Sequence, residues 1–327
     1  MNRRDTIVAL ASLAAAPLPA WAEQTRKVPT IGWLHPGFSS YAGPNAAITG
    51  LIDGLREAGY IEGEHFKLEP RWGQGKTEVL PGFAEELVKI KVDILVAVSP
   101  LSVRAAHAAT TEIPIVAHDL ESDPVANGFV TNLAAPGGNI TGLFLNQPSL
   151  AGKWLQLVRE VLPEAQRIAV LWDVDTGNAQ LRGLAAAAKG MPVNLQVIEF
   201  RTAVGLENSL NDGLKERPQA LIQLGSPLIN ALADQTAKIL ANVRVPAISM
   251  FRSFPERGGL MSYGPVMPVW YRRLGRYVAF VLKGSTPAVM PVEQPTNFEL
   301  VVNLKAAAAI GINVPQGMLL RAEDVIE

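Results

Sequence analysis

Hydroxyl and carboxyl side chains recur directly after short apolar segments of this sequence. The serines at such positions are Ser39, Ser40, Ser99, Ser102 and Ser226. Hydroxyl groups and the free N–H groups at the start of a helix together accept a carboxylate well. Asp173 and Asp175 follow another apolar segment and could pair with an ammonium group. The pattern therefore predicts a site for an amino acid or another small carboxylate.

Further candidates for ligand contact lie in similar positions. Aromatic side chains that could form apolar walls are Phe38, Phe251 and Tyr263, and the remaining candidates are His118, Asp119 and Gly225. Loops seldom bury an aromatic side chain such as Phe38 without a reason, because binding residues concentrate on loops. An apolar wall beside a few polar groups is typical of small-molecule sites.

Several of these residues also have a purely structural interpretation. Ser99 and Ser102 could cap the helix that they precede, and capping is compatible with ligand contact. Asp173 could equally be a helix cap or a turn residue, and His118 could be a core or hinge histidine. The sequence leaves these alternatives open.

Catalytic, metal and nucleic-acid signals are missing from the sequence. It contains no cysteine, and its four histidines are scattered without a metal-ligand spacing. It contains no GxSxG, no phosphate-binding loop and no GxGxxG after a strand. With 29 basic and 30 acidic residues, it has no basic excess to hold a phosphate backbone. We therefore expect no metal, no cofactor, no nucleic-acid partner and no enzymatic activity.

The elements that position the candidates alternate between strands and helices. The 327 residues suffice for about two domains. Apolar strand segments and amphipathic helices follow each other from residue 28 to 117, and the same pattern restarts at 148. This predicts an α/β protein of two lobes, each a doubly wound parallel sheet. In such sheets ligands bind beyond the carboxyl ends of the strands, which is where the candidate residues lie.

Glycine-rich segments divide the sequence and predict the hinge. We expect an N-terminal lobe of residues 28–142, joined by roughly 265–290, and a C-terminal lobe of residues 143–264, joined by roughly 291–327. Multiple chain crossings would join the lobes. The hinge glycines expected at these crossings are Gly137, Gly138, Gly142, Gly259 and Gly264.

The first 22 residues have the pattern of a cleaved leader. Arg3 and Arg4 precede the apolar segment 6–16, and Ala20-Trp21-Ala22 gives the A-x-A cleavage pattern. The apolar segment is shorter than the roughly 20 residues of a membrane span. The paired arginines also allow the twin-arginine route beside the general secretory one. We expect cleavage after Ala22 and a soluble, monomeric mature protein in the periplasm.

Later segments of the sequence resemble the periplasmic substrate-binding proteins of ABC transporters, in the family that includes tryptophan-binding members. The segments that carry the resemblance are Asp123-Pro124-Val125, 136–142, 258–264, 291–296, 298–300, 303–305 and 322–326. The resemblance implies a type I periplasmic-binding fold, a small-molecule ligand, and delivery of that ligand to an ABC permease with its ATPase. The matching segments are mostly scaffold, so they identify no ligand.

A binding protein of this kind would work by closing its lobes around the ligand, which shifts the population from open to closed. The alternative is a ligand-binding sensor partner or a secreted α/β enzyme on the same fold. Turnover, or loss of signalling instead of uptake in a deletion strain, would distinguish the alternative.

Overall fold

The computed structural model describes residues 28–39, 46–119 and 124–327. The expected leader, its cleavage site and the candidate Ser40 lie outside these residues. Within the described part of the chain, no helix combines the length and the hydropathy that a membrane crossing requires.

The first sheet is parallel and contains five strands. The strands are β1 (Thr30–His35), β2 (Lys67–Trp72), β3 (Ile94–Ala97), β4 (Ile115–Ala117) and β5 (Ile140–Gly142). Their order across the sheet is β2-β1-β3-β4-β5. The helices between them are α1 (Ala46–Glu57), α2 (Leu80–Lys89) and α3 (Pro100–Ala109). All residues of β3 are buried, as expected for a parallel strand that is covered on both faces.

The second sheet contains seven strands in the order β12-β11-β10-β9-β8-β6-β7. The strands are β6 (Arg167–Asp173), β7 (Asn194–Phe200), β8 (Ala220–Gln223), β9 (Ala247–Ser249), β10 (Met261–Pro265), β11 (Phe298–Asn303) and β12 (Asp324–Ile326). The pair β10 and β11 is antiparallel, and the other pairs are parallel. The helices are α4 (Gln147–Val161), α5 (Ala179–Ala188), α6 (Ala203–Leu214), α7 (Pro227–Ala231), α8 (Ala233–Asn242), α9 (Ser253–Glu256), α10 (Met267–Leu282), α11 (Leu304–Ile310) and α12 (Gln316–Leu319). The predicted α/β class with two mainly parallel sheets is confirmed.

The chain passes between the two sheets at residues 143–146, at Val266 and at residues 294–297. After the second passage, α10 packs against α1 of the first lobe. The Val292 N–H then donates a hydrogen bond to the Leu133 carbonyl at 2.7 Å. These contacts place α10 and Val292 against the first lobe, and the exact division of the chain into lobes stays a prediction.

Two segments that we expected to be crossings contain strands instead. Residues 140–142 form β5, and residues 261–265 form β10 in the interior of the second sheet. Their glycines permit close strand approach. A Cβ atom on Gly142 would lie 2.1 Å from the Ala117 carbonyl oxygen, and one on Gly264 would lie 2.2 Å from the Met250 carbonyl oxygen. Packing therefore accounts for glycine at both positions, although both stand next to a crossing.

The other expected hinge glycines lie away from the crossings. Gly137 has a φ of 83° and donates its N–H to the Ala288 carbonyl, within the first lobe. Gly138 has open space where a Cβ would stand, and a Cβ on Gly259 would lie 2.3 Å from the Phe254 ring. The hinge role of these glycines stays a prediction.

Candidate ligand-binding cleft

A cleft of about 490 Å³ lies between the two sheets. It faces the residues that directly follow β1, β3, β4, β8 and β9, at the carboxyl ends of these parallel strands. Its volume is in the range of small-molecule sites. The sequence candidates that line it are Phe38, Ser99, His118, Asp119, Gly225, Ser226 and Phe251. Residues that follow strands in both lobes therefore meet at one cleft.

Two histidines stand in the wall of the cleft. The His35 Nδ1 atom accepts a hydrogen bond from the Gly37 N–H at 2.8 Å, so the proton of the neutral ring lies on Nε2. His118 is 3% exposed and stacks on Tyr271 with ring centroids 4.6 Å apart. Burial lowers the pKa of each histidine from 6.5 to about 3, and the neighbouring His35 contributes to the shift of His118. Both rings are therefore neutral at physiological pH.

Tyr271 adds a neutral phenol to the same wall. Burial, together with the charge of Asp119, raises the pKa of Tyr271 well above its ordinary value of 10. The His118 Nε2 atom is buried and has no hydrogen-bond partner among the described residues. A buried polar atom without a hydrogen bond is energetically unfavourable, and a ligand that bonds to it removes this penalty.

Acidification is expected to destabilise the fold through His118. Its pKa is about 3 in the folded chain and 6.5 ordinarily, so the unfolded chain binds a proton that the folded chain does not. The free energy of unfolding then falls by about 2 kcal/mol between pH 7 and pH 5 from this group. Urea unfolding of wild type and His118→Gln at both pH values measures the difference.

Acidification raises the free energy of unfolding through Asp173, which is opposite to the effect of His118. The wild type must therefore be compared with the His118 variant. Burial raises the pKa of Asp173 to about 6 in the folded chain. As the pH falls, the folded chain therefore protonates Asp173 before the unfolded chain does. Its contribution to stability is therefore lost as the pH rises from about 4 to 6. Because Asp173 is present in both proteins, it cancels. Equal loss of stability in wild type and His118→Gln would contradict the assigned histidine pKa.

Asp119 places a buried carboxylate on the cleft. It is 5% exposed and follows β4. Its Oδ2 atom accepts a hydrogen bond from the Gln147 side-chain amide at 2.7 Å, and its Oδ1 atom accepts one from the Leu145 N–H at 3.4 Å. Both donors come from the first crossing and the start of α4. The carboxylate is thus held in place where the two lobes meet.

Gly225 and Ser226 form the opposite rim. The Gln180 side chain makes two hydrogen bonds with the Gly225 backbone, at 2.7 and 2.8 Å. The Ser226 Oγ atom accepts from the Leu228 N–H at 3.0 Å and donates to the Asp173 carboxylate at 2.6 Å. Ser226 therefore caps α7 and holds Asp173, so its hydroxyl hydrogen is already used.

Ser99 also caps a helix but keeps an unusual backbone. Its Oγ atom accepts from the Ser102 N–H at 3.4 Å, at the start of α3. Its φ is 85°, in a region that non-glycine residues seldom adopt. Strained backbone of this kind is concentrated at functional sites. Ser99 therefore both caps α3 and lines the cleft.

Asp173 and Asp175 lie outside the lining of the cleft. Asp173 borders a pocket of about 20 Å³ between the lobes, together with Thr77 and Arg201. Asp175 accepts hydrogen bonds from the Thr77 hydroxyl at 2.9 Å and from Arg201 at 2.7 Å. Since Thr77 belongs to the first lobe, Asp175 fastens the two lobes to each other instead of facing the cleft.

The remaining candidates have other neighbours. Ser39 is exposed and accepts a hydrogen bond from the Gln74 side chain at 3.1 Å. Ser102 is fully buried within α3. Tyr263 stacks on Phe298 in the second lobe, with centroids 5.9 Å apart. The structure does not bring these residues into the cleft lining.

Several cleft residues were absent from our sequence candidates. They include His35, Gln147, Gln180, Tyr271, Arg252 and Glu299. Arg252 pairs with Glu256, Glu299 and Asp324, so it ties α9 to β11 and β12. His35 followed a predicted strand and could have been nominated by the same rule as the serines. Tyr271 and Gln147 come from helices, for which the strand-end rule gives no signal.

In the described part of the chain, no group of three or more histidine and carboxylate side chains is arranged to hold a metal ion. The side chains that line the cleft can contact an organic ligand. A buried carboxylate, two neutral imidazoles, a phenol and the rings of Phe38 and Phe251 surround one cavity.

Comparisons with known proteins agree with this architecture. The family model described as ABC transporter substrate binding protein matches residues 38–326. A tyrosine-binding protein of Clostridioides difficile (strain R20291) is 24% identical over 257 residues, which cover 78% of this chain and 73% of that protein.

Solved structures show the same fold. The ABC domain from Streptococcus pneumoniae in complex with L-Trp is 22% identical with a TM-score of 0.83, and the match covers 92% of this chain and 100% of that one. A conserved domain protein from Vibrio cholerae is 24% identical with a TM-score of 0.84, covering 91% of this chain and 100% of that one.

Proposed function

The chain belongs to the family of ABC transporter substrate-binding proteins, and from this premise we propose that its cleft captures an amino acid with an aromatic side chain. Members of this family bind a small molecule outside the cytoplasm for an ABC transporter. The single observation that carries the ligand class is the position of the buried Asp119 carboxylate in the same cavity as the stacked His118–Tyr271 pair.

Asp119 is the proposed partner of the ligand's ammonium group. A carboxylate that is 5% exposed is costly unless it is hydrogen-bonded or paired with a cation. The donors from Gln147 and Leu145 hold the carboxylate in place at the cleft. A ligand ammonium supplies the opposite charge in a site where water is scarce, which makes the pair strong.

The ligand's ring is proposed to lie against aromatic side chains. Phe38 and Phe251 reach the cleft from the loops after β1 and β9, one from each lobe. Offset or edge-on contacts between aromatic rings contribute beyond the area that they bury. Tyrosine and L-Trp in the names of the two relatives described above support an aromatic ligand.

The ligand's carboxylate is proposed to meet His35. Because its Nδ1 atom accepts from Gly37, the proton of the neutral ring lies on Nε2, and His35 can donate it to a ligand in the cleft. A neutral donor of this kind binds a carboxylate without a second positive charge. The combination would select zwitterions over simple amines and over simple acids.

The last part of the proposed function is delivery of the bound ligand to a transporter. The closed, ligand-bound chain would be recognised by an ABC permease with its ATPase. The proposal includes export by a cleaved leader, a monomeric mature protein in the periplasm, and binding without turnover.

Isothermal titration calorimetry of the chain without residues 1–22 tests the ligand class. The protein is unfolded and refolded first, to remove any carried ligand. L-tyrosine, L-tryptophan and L-phenylalanine are compared with 3-phenylpropanoate, tyramine and L-alanine, which lack the ammonium, the carboxylate and the ring respectively. We expect saturable binding of at least one aromatic amino acid and at least 10-fold weaker binding of every truncated compound. Absence of binding across all three aromatic amino acids would overturn the proposal.

A further inference from the structure

A second cavity, of about 500 Å³, lies at the hinge and shares no lining residue with the cleft. Its walls are formed by α10 and by two of the crossing segments, Val266 and residues 294–297. We refer to it as the hinge groove. It is as large as the cleft, and the function proposed above does not use it.

Basic side chains dominate the hinge groove. Arg272, Arg273 and Arg276 line it from α10. The Arg273 Nε atom lies 2.7 Å from Glu293, and the Arg276 Nη2 atom lies 2.7 Å from Glu57. The Arg272 Nε atom lies 3.6 Å from the same Glu57. Two carboxylates therefore serve three guanidinium groups, and an excess positive charge remains.

Two residues that line the groove each have a buried N–H group without a hydrogen bond among the described residues. The indole Nε1–H of Trp270 and the Nε–H of Arg272 are buried, and neither has a hydrogen-bond partner among the described residues. Trp270 is only 7% exposed, so the surrounding protein shields its polar atom from water. Unpaired buried donors are rare in native proteins and each requires an explanation. Both groups belong to residues that line the same cationic cavity.

Apolar residues complete the groove. Pro265, Val266, Val269 and Pro295 line it beside the arginines. Val269 is 46% exposed, which leaves apolar surface open at the cavity. A cavity with excess positive charge, spare N–H donors and an apolar side has the chemistry of an anion site.

We propose that the hinge groove is a second binding site, for a small anion that carries a carboxylate or phosphate group. As the groove widens around it, the anion accepts hydrogen bonds from Arg272 and Trp270, and its charge balances the surplus guanidinium group. Arg276 contributes from the next turn of the same helix, because residues four apart share a helix face.

The location couples this site to the movement of the lobes. Crossing segments absorb the backbone changes when two lobes open and close. An anion bound between α10 and residues 294–297 holds two of these segments at one spacing. It therefore favours one lobe arrangement, and by reciprocity ligand binding in the cleft changes affinity for the anion.

Calorimetric titration with inorganic phosphate and with propanoate tests the groove, using the full chain in a low-salt buffer without any cleft ligand. Arg276→Gln is expected to weaken binding of the phosphate at least 10-fold, and Trp270→Phe, which keeps the ring and removes the donor, about 5-fold. Arg56→Gln is the matched control, because Arg56 is an exposed arginine that pairs with one carboxylate, Asp53. It should leave phosphate binding unchanged.

The outcomes of the anion titration are independent of the outcomes of the amino-acid titration of the cleft. No saturable binding of either anion by the wild type, or equal phosphate affinity in wild type and Arg276→Gln, overturns the proposal. Either result leaves amino-acid capture standing, since the titration involves no cleft ligand. Conversely, failure of the aromatic amino-acid panel does not affect the phosphate measurement.

Discussion

Replacing Asp119 by asparagine is expected to weaken binding of an aromatic amino acid about 100-fold. The carboxylate is buried and accepts hydrogen bonds from Leu145 and Gln147, so in the complex it would face the ligand's ammonium with little water between them. Removing one member of a buried, hydrogen-bonded charge pair costs about 2–5 kcal/mol. About 3 kcal/mol corresponds to the 100-fold change. Asparagine keeps the shape of the side chain, so the loss reports the charge.

Calorimetry with L-phenylalanine and 3-phenylpropanoate makes this prediction specific. The second compound lacks the ammonium group, so its affinity should change much less in Asp119→Asn. Asp234→Asn is the matched control, because Asp234 is an exposed acid that pairs with Lys238. Thermal unfolding of each variant checks that the fold is retained. Parallel losses for both compounds would show that Asp119 only supports the cleft wall.

The fold followed closely from hydrophobic patterns where the elements are long or fully apolar. The strand β3 has four buried apolar residues in a row, and α4 has a broad buried face, so both were predictable. The short strands β5 and β10 were not, because glycines that permit close strand packing also look like hinge residues. Backbone proximity, which decides between these interpretations, is a property of the folded chain.

The candidate site was predictable in part for a geometric reason. In parallel sheets the residues after each strand share one edge, so His118, Gly225 and Phe251 could be found from strand positions alone. The pairing of Ser226 with Asp173 across 53 positions could not. Tyr271 was also missed, since the chain must cross the hinge and pack α10 on α1 before the ring reaches His118.

The approach of α10 to α1 depends on glycines in both helices. A Cβ atom on Gly275 would lie 2.2 Å from the Leu51 carbonyl oxygen and 2.9 Å from the Gly54 Cα atom. A Cβ atom on Gly54 would lie 2.0 Å from the Arg272 carbonyl oxygen. All the contacted atoms are backbone, which cannot rotate away as a side chain can. The helices can touch because both have glycine, which has no side chain, where they meet.

Gly275→Ala is therefore expected to lower the free energy of unfolding by about 3 kcal/mol, at the upper end of the cost of overpacking. Alanine ordinarily stabilises a helix relative to glycine by about 1 kcal/mol, so the clash must exceed that gain as well. The matched control is Gly82→Ala, since Gly82 lies within α2 with no heavy atom within 4 Å of an added Cβ. That control should unfold at an equal or higher denaturant concentration.

Urea unfolding of both variants and of the wild type gives the measurement, with titration of the aromatic ligand alongside. Because α10 carries Tyr271 into the cleft, a helix displaced by the added methyl group should also weaken ligand binding. Gly82→Ala should leave binding unchanged, because Gly82 does not line the cleft. If Gly275→Ala instead matched the wild type in both stability and affinity, the close contact of the two helices would not be what positions Tyr271.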